Sequence, residues 1–145
     1  MKRVLFLCTG NYYRSRFAEI FFNWRAEQQQ LPWRAESRGL RLEHYNPGLM
    51  SHHTLARLSR LGVSLGAYQR LPLAAAPPDF VSADHIVAVK QTEHRPMIEA
   101  RFAAWLDRVE FWEVHDLDLA GPDEAIPQLE REVVGLMERL QTQRR

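Results

Sequence analysis

A β-strand that is apolar on both of its faces has to be covered from both sides, which means a parallel sheet held between two layers of helices. Val4-Leu5-Phe6-Leu7 is such a run, with no polar alternation, and it ends at Cys8-Thr9-Gly10-Asn11. His85 to Val89 is read as another apolar strand, Trp33 to Ser37 as a second strand and Val109 to Val114 as a fourth. Helical patterns fill the intervals. From Ser15 to about Gln29, Phe17, Ile20, Phe21 and Trp24 recur at three- and four-residue steps along one face, and Pro32 closes the segment. Ser51 to Gly62 reads as a helix with Ser51 as its cap, Leu55, Leu58 and Leu61 on one side, and Gly62 as its stop. Ala74 to Ala83 holds a short helix interrupted at Pro77-Pro78, and Thr92 to Leu106 a longer one that should begin properly near Pro96. Gly39 to Gly48 and His115 to Pro122 read as loops, and Ile126, Leu129, Val133, Leu136 and Leu140 mark a long last helix.

Strands alternating with helices, without internal repeats, predict one α/β domain over residues 1–145: three layers, with a four-stranded parallel sheet flanked by helices. In such a domain the chemistry belongs at the carboxyl ends of the strands. Two loops qualify, Cys8 to Arg14 and His115 to Pro122.

Composition narrows the function classes. Nineteen basic and 18 acidic side chains leave a formal charge of +1, too weak a field to gather nucleic acid or an anionic membrane. No apolar run approaches the ~18 residues of a membrane span. The apolar stretch after Lys2-Arg3 is too short for a signal peptide, so a cytoplasmic protein is expected. The single cysteine can form neither an internal disulfide nor a Cys-rich zinc site. The six histidines, His44, His52, His53, His85, His94 and His115, include no metal-ligand pair on one helix face and read as solvated or helix-end residues. Trp24, Trp33, Trp105 and Trp112 fall on apolar faces, and most of them are expected in the core. No metal or cofactor is called for.

Cys8 precedes Arg14 by six positions at a strand-to-helix junction, so a nucleophile and a bidentate oxyanion binder flank one short loop. Gly10 is expected to take a left-handed turn, which lets successive N–H groups converge on an anion. The N–H groups of Thr9, Gly10, Asn11, Tyr12, Tyr13, Arg14 and Ser15 are the candidate cradle, strengthened by the positive end of the following helix. The same field favours thiolate over thiol at Cys8.

Cys8-Thr9-Gly10-Asn11-Tyr12-Tyr13-Arg14-Ser15 resembles the Cys-x-Gly-Asn-x-Cys-Arg-Ser loop that follows the first strand of the low-molecular-weight protein tyrosine phosphatases. Tyr13 stands where that family often carries a second cysteine. Weaker likeness runs through Ser37-Arg38-Gly39, Tyr45-Asn46-Pro47-Gly48, Leu61-Gly62-Val63 and Arg70. The resemblance implies Cys8 as nucleophile, Arg14 as transition-state clamp, Ser15 as a hydroxyl that stabilises the departing thiolate, and Asn11 and Ser37 as supports of the loop. It also implies a phosphotyrosyl protein or small phosphomonoester as substrate, inorganic phosphate or another oxyanion as ligand, and a monomer or weak dimer.

Expelling an oxygen from phosphorus requires a proton on it, and a positioned acid contributes ~10²- to 10⁴-fold. Asp116 and Asp118 in the second loop both qualify; the family's Asp-Pro pair aligns with Asp116-Leu117, which favours Asp116. The implied reaction is double displacement through a phosphocysteine, with Asp116 acting first as acid and then as base. The family's aromatic walls after the acid are missing from Asp118-Leu119-Ala120, so Tyr12, Tyr13, Tyr45 and Asp118 are candidates for the pocket wall. Lys90 lies near a position where the family often has an acid, and Ala67 where it often has a histidine. Two other functions stay open: a thiol-dependent arsenate reductase, and a catalytically weak phosphate-binding regulatory module.

Overall fold

The computed structural model describes residues 1–42 and 46–143. Four strands form one sheet: β1 (Lys2–Cys8), β2 (Trp33–Gly39), β3 (His85–Ala88) and β4 (Val109–Phe111). Their spatial order is β2-β1-β3-β4 and every pairing is parallel. The four-stranded parallel sheet flanked by helices, expected above, is therefore present. β1 is central because it is the run apolar on both faces: Val4, Phe6 and Cys8 enter one core cluster and Leu5 and Leu7 the other. The chain turns one way from β1 to reach β2 and the other way to reach β3. That reversal opens a crevice at the carboxyl ends of β1 and β3, the place where open α/β sheets bind ligands.

Helices α1 (Arg14–Gln29) and α5 (Pro122–Gln143) cover one face, with α2 (His52–Leu61) packed beside them through Leu58. Helices α3 (Pro77–Ser82) and α4 (Gln91–Arg101) cover the other, where Phe80 stacks on Phe102 at 4.5 Å and on Trp105 at 5.1 Å. Each Phe, Leu or Ile fully withdrawn from water in these layers contributes roughly 1.5–3 kcal/mol. Ser51 caps α2 by accepting from the His53 N–H, and Gly62 ends it in a left-handed turn, as expected from the sequence. Trp33 and Trp112 are buried as expected, whereas Trp24 and Trp105 are only partly so.

Several boundaries differ from expectation. Pro77 and Pro78 open α3 instead of interrupting it, since a missing N–H costs nothing in a first helical turn. Helix α4 starts at Gln91, well before Pro96. Its first turn is anchored from outside, because the Thr92 N–H and hydroxyl both donate to Glu113, at 3.2 and 2.7 Å. β4 stops at Phe111; beyond it the chain stays bonded to the end of β3 and the residues that follow it, through Trp112 N–H to Ala88 O and Val114 N–H to Val89 O. Helix α1 is not the one-sided amphipath that its apolar residues suggested. Arg16, Glu19 and Asn23 are buried as well, because the sheet, the β2 edge and the loop after α2 enclose its N-terminal half.

Candidate active site

β1 delivers Cys8 to the crevice. Its side chain is 2 % exposed, and its Sγ lies 2.9 Å from the Ser15 hydroxyl in the first turn of α1. The loop between them wraps around Asn11. Here the structure corrects the sequence reading: the left-handed residue is Asn11 (φ 50°), and Gly10 has no positive φ. Asn tolerates that conformation because its short amide can bond locally. Its Nδ2 donates to the hydroxyls of Ser15 and Ser37, both at 2.9 Å, and its Oδ1 accepts from Arg70 Nη1 and the Leu73 N–H, both at 3.0 Å. Asn11 and Ser37, the two residues expected to support the loop, are thus hydrogen-bonded to each other. The end of β2 must pass very close to this loop, and that requires Gly39. A Cβ there would stand 2.8 Å from the Thr9 carbonyl oxygen and 2.6 Å from the Leu42 side chain.

Beneath the loop lie two charged residues that sequence reasoning did not single out. Arg16, on α1, is fully buried and donates to the carbonyls of Asn11, Leu49, Tyr68 and Arg70 at 2.8 to 3.3 Å. Burial lowers its pKa to about 10, with Arg70 adding to the effect. Glu19, one turn further on, accepts from Ser37 at 2.5 Å and from Arg70 at 3.2 Å, and burial raises its pKa. Together these bonds tie the loop to α1, β2 and the segment after α2.

The cleft at the crevice has a volume of about 340 Å³. Cys8, Thr9, Gly10, Tyr12, Tyr13 and Arg14 line one side of it, and Asp116, Leu117 and Asp118 another. Of the two candidate acids, Asp116 is the nearer to the loop. Its Oδ2 is 3.4 Å from Arg14 Nη2 while its Oδ1 accepts from the Leu117 N–H at 2.9 Å. Asp118 is exposed at the mouth. Tyr12 reaches across to donate to the Pro47 carbonyl. Tyr13 is buried, its hydroxyl has no partner among the described residues, and burial together with Asp116 pushes its pKa up to about 12. Tyr45, the remaining pocket candidate, lies outside the described residues.

The guanidinium of Arg14 is 2 % exposed and held by groups from two other strand ends. It donates to the Val114 carbonyl at 3.1 Å and makes a two-pronged pair with Glu93, Nη1 to Oε1 at 3.2 Å and Nη2 to Oε2 at 2.8 Å. Glu93 also accepts from the Thr9 hydroxyl, and its Oε2 lies 3.1 Å from Nε2 of His94. Of the two readings expected for the histidines, solvated or helix-end, His94 takes the second: it lies in the first turn of α4 and is completely buried. Its Nδ1 accepts from the Lys90 N–H at 3.1 Å, so the ring proton sits on Nε2 and points at Glu93 and Thr9. Neither residue was found from the sequence. The signal was available, since α4 begins at the carboxyl end of β3 and the rule applied to the first and fourth strands holds equally for the third.

Among the described residues, no helix is long and apolar enough to cross a membrane.

Comparison with known proteins identifies the fold and the family. No curated protein matches the chain. Among solved structures, YfkJ from Bacillus subtilis superposes with a TM-score of 0.86 at 22% identity, covering 100% of this chain and 98% of that one. A low molecular weight phosphotyrosine phosphatase from Vibrio cholerae gives 0.82 at 22% identity, with 99% of each chain covered. The YwlE arginine phosphatase from Geobacillus stearothermophilus gives 0.78 at 25% identity, with 99% and 95% covered. The family model described as low molecular weight phosphotyrosine protein phosphatase matches residues 3–145, nearly the whole length, and the chain therefore belongs to that family.

Proposed function

We propose that the protein is a cysteine-dependent phosphomonoester hydrolase acting on phosphotyrosyl proteins. One observation carries the reading: a cysteine at the end of the central strand, 2.9 Å from a helix-start hydroxyl, shares one cleft with a buried arginine and an aspartate 3.4 Å from that arginine. The Cys8 thiolate attacks phosphorus while Asp116 gives its proton to the departing oxygen. Arg14 and the loop N–H groups spread the charge that builds on the equatorial oxygens. Water, deprotonated by Asp116, then breaks the S–P bond, and the Ser15 hydroxyl stabilises the sulfur as it leaves. Asp116 is chosen over Asp118 because its carboxylate lies beside Arg14.

Hydrolysis of p-nitrophenyl phosphate and of a phosphotyrosyl peptide tests this. Cys8→Ser should abolish turnover, Asp116→Asn should lower kcat by ~10²- to 10⁴-fold, and Asp118→Asn should change it by less than about threefold. Turnover surviving Cys8→Ser removes the phosphocysteine.

A second reading is favoured by Asp118, an exposed carboxylate at the cleft mouth where it could pair with a cationic leaving group. A phosphoguanidine would supply one, and the similarity to an arginine phosphatase points the same way. Release of phosphate from phosphoarginine, sensitive to Asp118→Asn, would favour this substrate over phosphotyrosine.

A further inference from the structure

We infer that Glu93 is a positioning residue for the phosphate clamp: its carboxylate, backed by Thr9 and His94, fixes the rotation of the Arg14 guanidinium so that one edge faces the phosphoryl group. The inference rests on the phosphatase reading above and adds a component to it.

A guanidinium has five N–H donors and two edges able to grip an oxyanion with parallel bonds: end-on, through Nη1 and Nη2, and side-on, through Nε and Nη2. Glu93 takes the end-on edge with both of its oxygens. The Val114 carbonyl takes the other Nη1 hydrogen. Among the described residues these bonds leave the side-on edge, Nε–H with the second Nη2–H, on the side of the cleft that Arg14 lines, where the proposed acid Asp116 stands with its Oδ2 3.4 Å from Nη2. A Glu93 carboxylate competing with phosphate would instead occupy the edge that faces the ligand. The pair therefore acts as a bearing, setting the plane of the ring while the Val114 carbonyl sets its depth.

Glu93 is itself restrained. Its Oε2 accepts from the Thr9 hydroxyl on the loop and from His94 Nε2, whose other nitrogen is committed to the Lys90 backbone. Burial keeps His94 neutral, because it lowers the pKa of the ring below its ordinary value. Arg14 is thus the only cation paired with the carboxylate among the described residues. The chain Lys90–His94–Glu93–Arg14 spans the crevice from the end of β3 to the start of α1, and Thr9 closes it back onto the loop after β1. Displacing a group at the reacting centre by about 1 Å costs on the order of 10²-fold in rate. That sets the scale of the effect.

The test compares wild type with Glu93→Gln, which keeps the shape but turns an amide against Arg14, and with Glu93→Ala as a second variant. The readouts are kcat and KM for p-nitrophenyl phosphate, the inhibition constant of orthovanadate, which takes the five-coordinate geometry of the transition state, and the melting temperature. The expected result is a fall in kcat of about 10²-fold with a parallel loss of vanadate affinity, little change in KM, and a melting temperature well above the assay temperature. Unchanged kcat and vanadate affinity would reduce Glu93 to a structural ion pair and overturn the inference. A gain in vanadate affinity would overturn it in the other direction, by making the carboxylate a competitor for the oxyanion. Wild type that binds vanadate without hydrolysing any phosphoester would refute the proposed function, and the vanadate comparison would still decide the role of Glu93. Wild type that binds no vanadate would refute both.

Discussion

Asn11 carries the loop, and its replacement can be worked through in energy. The side chain is fully buried and makes four hydrogen bonds, to Ser15, Ser37, Arg70 and the Leu73 N–H, at 2.9 to 3.0 Å. At ~1 kcal/mol net for each, truncation removes about 4 kcal/mol. Three of the partners keep a second bond, Ser15 with Cys8 and both Ser37 and Arg70 with Glu19, so the penalty for stranded groups is confined to the Leu73 N–H. Backbone strain then separates two variants. Alanine at φ 50° costs ~1–2 kcal/mol, partly offset by the ~0.4–1 kcal/mol of unfolded-chain freedom that glycine would bring. Asn11→Gly should therefore destabilise by about 4 kcal/mol and Asn11→Ala by about 5. Those losses compare with a total of ~5–15 kcal/mol for a typical domain. Urea unfolding followed by tryptophan fluorescence measures both, with the slope m unchanged if the unfolded state is unaffected. A loss below about 1 kcal/mol for Asn11→Ala would refute the hydrogen-bond reckoning. Alanine no worse than glycine would refute the left-handed strain.

Other expectations follow from the same geometry. Gly39→Ala places a methyl 2.8 Å from the Thr9 carbonyl oxygen, so the β2 end and the phosphate loop must part; a loss of ~1–3 kcal/mol and a fall in kcat should appear together, and a fully stable, fully active variant would contradict the close approach. Tyr13→Phe removes a buried hydroxyl that has no partner among the described residues. It should gain about 1 kcal/mol and raise Tm by ~3 °C in a melting experiment, and a drop in Tm would show that the hydroxyl is bonded. Acid should unfold the protein in two stages. His94 is lowered from its ordinary 6.5 by burial, so as pH falls below 6.5 the unfolded chain takes up a proton the folded one refuses, and stability declines. The Glu93 and Glu110 carboxyls are held well below 4.5: burial opposes this, but bonds from His94, Arg14 and Thr9 to the one, and from His85, Arg139 and Trp112 to the other, outweigh it. Their contribution is whole above pH 4.5 and is lost as pH drops through the lowered values. Urea midpoints at pH 7, 5.5 and 4 should descend, and Glu93→Gln should flatten the lower step; an unchanged lower step would mean that Glu93 is not ionised in the folded state.

How much of this was legible beforehand depends on how local each signal is. Cys8 to Ser15 was legible because a continuous apolar run, a loop with a nucleophile and an arginine, and a helix follow one another within a short segment. The ends of α2 were legible for the same reason, since Ser51 and Gly62 act on their own neighbours. Glu93 and His94 were not, because their meaning depends on β3 lying next to β1, which no periodicity within either segment encodes. Arg16 and Glu19 carry no local signal, on a helix whose apolar face is accounted for by Phe17, Ile20, Phe21 and Trp24. Only the enclosure of α1 by the sheet and the segments that follow α2 turns that second face inward. The left-handed position fell on Asn11 and not Gly10 because the asparagine amide finds partners on two distant segments as well as on Ser15, a gain that conformational preference alone does not show. Pro96 misplaced the start of α4 since Glu113, from beyond β4, secures the first turn.

The Arg14 to Val114 bond joins residues 100 positions apart. During synthesis the sulfur of Cys8 and the Arg14 guanidinium are therefore in place well before the carbonyl that sets the depth of that guanidinium. A nascent chain therefore carries Cys8 without an aligned clamp until β4 has docked, so hydrolytic competence should arrive abruptly with sheet closure and not gradually along the ribosome exit path.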